Sequence, residues 1–88
     1  MGEMISINVA KHMARMALNI RRQREHLNYS QEYVADRLNI SQSGYSKIEQ
    51  GASSINVERL YQIAEVLEIT PIELLENGKR ENAGLNLN

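Results

Sequence analysis

The chain has 88 residues, 42% of them apolar and 24% charged, with a net charge of −1 and no cysteine. That length supports one domain around one hydrophobic core, and the missing cysteines exclude disulfides, thiolate metal sites, iron–sulfur clusters and thiol nucleophiles, which fits a cytoplasmic protein. No apolar run exceeds three residues, as at Met16-Ala17-Leu18, far below the ~20 a bilayer requires, so neither a membrane span nor a secretory leader is expected.

Val9, Met13, Met16, Ala17, Ile20 and Leu27 fall within about 100° of one another on a 3.6-residue wheel, which predicts a first amphipathic helix over 9–27 with Ser6 or Asn8 as its cap. Ser30 before Gln31 and Glu32 is a cap with acid in the first turn, and Val34, Ala35 and Leu38 make a short apolar stripe, so a second helix is expected over 31–38. Asn39 tolerates a left-handed backbone and Ser41 can cap again, which starts a third helix over 42–50 only three residues later and stops it at Gly51. In that helix Gly44, Tyr45 and Ile48 share one side, and Gln42, Ser43, Ser46, Lys47 and Gln50 share the other.

Residues 52–56 read as a loop, followed by a fourth helix over 57–67 marked by Val57, Leu60, Ile63, Ala64 and Leu67. Thr70-Pro71-Ile72-Glu73 has the form of a capping box with proline at the first helical position, opening a short fifth helix through Glu76. Residues 1–8 form an N-terminal extension to a domain over 9–76, and the polar, aperiodic residues 77–88 are expected to be a loose tail. Nothing alternates with a period of two, so the fold class is all-α.

The residues offer little to catalysis. The two histidines, His12 and His26, would stand roughly 21 Å apart at ~1.5 Å per residue of one helix, too far to share a metal ion or a proton. No phosphate-binding glycine loop, nucleophile elbow or zinc-binding histidine pair is present. An enzyme, a metal site and a cofactor are therefore not expected. The small net charge hides an uneven distribution: residues 1–50 carry +2 and the remainder −3, an asymmetry that can orient a domain on a phosphate backbone.

Two short helices joined by a three-residue turn, the second with a polar outer face, have the geometry that places one helix in the DNA major groove. The segment SQEYVADRLNISQSGYSKIEQG, Ser30 to Gly51, resembles the helix-turn-helix of the phage repressor/Cro-like (xenobiotic response element) family. The following INVERLYQIAEVLEITPIELLE resembles that family's fourth and fifth helices. The resemblance implies a compact five-helix, lambda-repressor-like domain whose helix-turn-helix spans 30–51. Asn39 stands where the family's turn glycine is usual.

Residue by residue, the resemblance implies DNA base contacts from Gln42, Ser43, Ser46 and Lys47 and phosphate contacts from Gln31, Ser41 and Tyr45. Glutamine can pair bidentately with adenine, and lysine suits the acceptors of guanine. Arg24 and Glu49 match a family salt bridge between the first and third helices. Independent support comes from Arg24 itself, which falls on the apolar stripe of the first helix, where an unpaired guanidinium would be costly.

The function expected on these grounds is sequence-specific double-stranded DNA binding by a small transcriptional regulator, a repressor by resemblance, acting as a homodimer at least on DNA. The surplus apolar turns at Ile5, Ile7, Val9 and Met13 open an alternative: an antitoxin-like module that captures a partner protein, with DNA binding secondary. The pairing surface is expected in the region of the fourth and fifth helices, with the apolar N-terminal turns as the other candidate.

Overall fold

The computed structural model describes residues 2–76; the expected loose tail over 77–88 lies outside them. Five helices follow in order, α1 (Gly2–His26), α2 (Gln31–Leu38), α3 (Gln42–Glu49), α4 (Val57–Val66) and α5 (Pro71–Leu75), and among the described residues there is no strand. No helix among them is long and apolar enough to cross a membrane.

The helix starts follow from side-chain caps. Ser30 Oγ accepts from the Tyr33 amide at 2.9 Å, Ser41 Oγ from the Gly44 amide at 3.0 Å, and Asn56 Oδ1 from the Arg59 amide at 2.7 Å. Each satisfies one of the donors a helix N-terminus leaves open. Thr70 and Glu73 complete a reciprocal capping box with Pro71 in the first turn. Asn39 ends α2 in the left-handed region at φ 64°, and the Ile40 amide then donates to Ala35 O at 3.0 Å. This is the αL closure that permits a three-residue turn.

One helix start departs from the sequence-based expectation, while the ends of α1, α3, α4 and α5 fall one residue short of it. α1 begins at Gly2 rather than Val9, so Ser6 and Asn8 lie inside it rather than at its start. Serine and asparagine favour caps but are tolerated inside a helix, and no proline stands among residues 1–8 to stop it. At its other end α1 closes through Asn28 at φ 61°, with the Tyr29 amide donating to Arg24 O at 3.1 Å.

The core lies where α1, α2, α3, α4 and α5 converge. Ile20, Val34, Tyr45, Ile63, Leu67 and Leu74 are its largest fully buried side chains. Polar side chains of α1 lock the other helix ends against it: Asn19 Nδ2 donates to the carbonyls of Leu74 and Glu76, and Gln23 Nε2 donates to Leu67 O at 2.9 Å. The Tyr29 hydroxyl donates to Glu68 at 2.7 Å and ties the α1–α2 turn to the α4–α5 turn. These bonds tie α1 and the turn after it to the ends of α4 and α5.

Gly51 follows α3 at φ +75°, and a Cβ there would meet Ala17 Cβ at 3.8 Å and Ala14 Cα at 3.9 Å, ordinary contacts. The glycine is therefore required by its backbone conformation and not by crowding. Gly51→Ala is expected to cost about 1 kcal/mol, a fall of ~4–8 °C in melting temperature for a domain of this size. A calorimetric scan checks it, and an unchanged melting temperature would place the strain elsewhere.

Candidate nucleic-acid interface

Three of the four residues expected at base edges stand together on the outer side of α3. Gln42, Ser43 and Lys47 are exposed, while Ser46 is half-buried and its Oγ accepts from Gln50 Nε2 at 3.2 Å. Ser41 is exposed as well, with its Oγ engaged by the Gly44 amide. A Cβ on Gly44 would come within 3.2 Å of that same oxygen, so glycine keeps room for the cap where alanine would press on it.

Tyr45 corrects an expectation. Its side chain is wholly buried, so it fills the core and presents nothing to a phosphate. The signal was present in the helix period, since Tyr45 shares the inner side of α3 with Ile48 at the i+3 position. Burial foremost, with the Glu49 carboxylate beside it, raises the phenol pKa well above its ordinary value. The hydroxyl makes no well-formed hydrogen bond.

Behind the outer face lies a cluster that joins three helices. Arg24 of α1 grips Glu49 of α3 with two bonds, Nε to Oε2 at 2.6 Å and Nη2 to Oε1 at 3.1 Å, and its Nη1 donates to Tyr29 O at 2.8 Å. The Glu49 side chain is 3% exposed and that of Arg24 12%. Such a bidentate pair has both charge and fork geometry matched. Gln31, the first residue of α2, completes the cluster, its Nε2 donating to Glu49 Oε1 at 3.0 Å. The expected phosphate-contacting glutamine is thus tied to the ion pair, a link between residues 18 positions apart that no local periodicity carries.

Burial raises the Glu49 pKa, but the bonds from Arg24 and Gln31 and the Arg24 charge outweigh it and hold the carboxyl below its ordinary value. The bond to Glu49 in turn raises Arg24. A carboxyl depressed in the folded state adds stability that is complete above its unfolded value and is lost as pH falls through its folded value. The melting temperature is therefore expected to hold from pH 7 to about pH 5 and to fall below it. Replacing the pair, Arg24→Met with Glu49→Met, should make that acid decline shallower; an identical decline would assign it to other carboxylates.

The arrangement has the chemistry of a surface that reads hydrogen-bonding edges. Among the described residues no group of three or more histidine or acidic side chains gathers to hold a metal. A helix-turn-helix family model matches residues 20–74, from the second half of α1 into α5. Comparison with curated proteins and with solved structures gives no significant match. Capped α2, the three-residue turn, α3 with its polar outer side and the family match converge, and the chain belongs to the phage repressor/Cro-like helix-turn-helix family of DNA-binding transcription regulators.

Proposed function

We propose that this regulator binds double-stranded DNA sequence-specifically as a repressor, with α3 in the major groove. The observation that carries the reading is the exposed row Gln42, Ser43 and Lys47 on a helix whose start is fixed by the Ser41 cap. In this account Gln42 and Lys47 meet base edges, Ser43 and Ser46 add short hydroxyl contacts, and Gln31 and Ser41 hold phosphates. Occupying the site then excludes other proteins from the same groove.

A single α3 reads only a few base pairs, too few to mark one site among ~10⁶ or more competitors. Two copies on a palindromic site answer this. Val57 and Tyr61 on α4, 70% and 60% exposed, and Ile72 and Leu75 on α5, 68% and 54% exposed, support pairing through that end of the domain. Ile7 and Val9 on α1, 56% and 52% exposed, favour a second reading, in which a partner protein covers the first turns of α1 in an antitoxin-like complex.

Selection from random duplex DNA at defined salt tests the proposal. An enriched motif with two half-sites about 10 base pairs apart, or a multiple of one helical turn, is the expected outcome. A library that stays random through repeated rounds would refute sequence-specific binding, and one chain per duplex at saturation would refute the pair.

A further inference from the structure

Gln31, proposed to hold a phosphate, has a carboxamide that is already committed. Its Nε2 donates to Glu49 Oε1 at 3.0 Å, and Glu49 is held by Arg24 through two bonds of 2.6 and 3.1 Å. A carboxylate only accepts, so the end of the amide facing Glu49 is fixed as the NH₂ end. That nitrogen carries two hydrogens, and one is spent on Glu49. The other remains available to an anion.

The ion pair also settles the electrostatics. A bare carboxylate next to a phosphate contact would repel the phosphate. Arg24 cancels that charge where it stands, leaving Glu49 as an anchor without a net field against DNA. The anchor is rigid, since Glu49 is 3% exposed and α1 and α3 are packed around it, and Gln31 therefore has less conformational freedom to lose on binding.

We propose that Glu49 is a positioning residue for DNA: through its bond to Nε2 it sets the Gln31 carboxamide in the orientation that meets a phosphate, so that the contact is formed before DNA arrives. The inference rests on the DNA-binding reading and goes beyond the architectural role of the Arg24–Glu49 pair. It makes the α1–α3 bridge part of the binding surface.

The test is a double-mutant cycle in which the fold survives. Replacing both members of a buried ion pair by apolar residues of similar volume is commonly neutral for stability, so Arg24→Met with Glu49→Met removes the anchor and keeps a folded protein. Gln31→Ala is made in the wild-type chain and in that background, and binding to a selected duplex is measured at one salt concentration. In the wild-type chain Gln31→Ala is expected to weaken binding about tenfold, as for loss of a hydrogen bond to a charged group; in the anchorless background it should change binding less than about twofold. The same loss in both backgrounds would overturn the proposal.

A second measurement needs no variant. In wild-type protein without DNA, the Gln31 side-chain amide protons are expected to exchange with water more slowly than those of exposed Gln42 and to be shifted away from them by nuclear magnetic resonance. Equal exchange and coincident shifts would overturn the proposal. A wild-type chain that binds no duplex at all removes the DNA reading and this inference together, an outcome visible in the first titration and distinct from the two above.

Discussion

Glu49→Ala is expected to destabilise the domain by about 3–5 kcal/mol, the usual cost of removing one partner of a buried ion pair. Three donors lose their acceptor at once: Nε and Nη2 of Arg24 and Nε2 of Gln31. Arg24, 12% exposed, cannot recover full hydration without α1 moving off α3. Against the ~5–15 kcal/mol that holds a small domain folded, this is a large share. The melting temperature should fall by well over 10 °C. Replacing both partners by methionine should recover most of the loss, because no charge is then left buried. If Glu49→Ala melts like wild type and binds DNA poorly, the residue acts at the interface and not in the fold.

The second large effect is expected on the outer side of α3. Gln42→Ala and Lys47→Ala should each cost about 1–3 kcal/mol on the preferred site and much less on a scrambled duplex, the pattern of lost base contacts. Gln31→Ala should weaken both duplexes by the same factor, because a phosphate contact carries no base identity. Titrating each variant against the two duplexes separates these roles. Equal losses for Lys47→Ala on both duplexes would move that residue to the DNA backbone. Lys47 is the one cation on α3, and residues 30–51 hold two cations against three acids.

Much of this frame was legible from local chemistry. Ser30, Asn39, Ser41, Thr70 and Pro71 each act within a turn or two of themselves, so α2, the starts of α3 and α5 and the tight turn follow from residues a few positions apart. Asn56 belongs with them: an asparagine ahead of Val57 and Glu58 has the form of a cap, and the structure uses it as one. The start of α1 was not legible, because its apolar stripe announces a packed face and α1 continues without packing through exposed Ile7 and Val9.

Tyr45 and Gln31 show the remaining limit from opposite directions. Tyrosine is amphipathic, and resemblance assigned Tyr45 to a phosphate; the position beside Ile48 on the inner side of α3 was the better guide, and the ring is buried. Gln31 looked like an independent surface contact. Its bond to Glu49 exists only because α2 and α3 cross, and tertiary placement of that kind leaves no trace in a window of one helix.

The central claim, that α3 reads base edges in the major groove, is tested most directly on the DNA itself. Purines of the selected half-site are replaced one at a time by 7-deaza analogues, which remove the major-groove N7 acceptor, and by 3-deaza analogues, which remove the minor-groove N3 acceptor. Bidentate contacts from Gln42 or Lys47 require N7. At the contacted purines, 7-deaza substitution is expected to weaken binding about tenfold or more, and 3-deaza substitution at the same positions is expected to leave it unchanged. Loss of binding with the 3-deaza series and not with the 7-deaza series would contradict the claim.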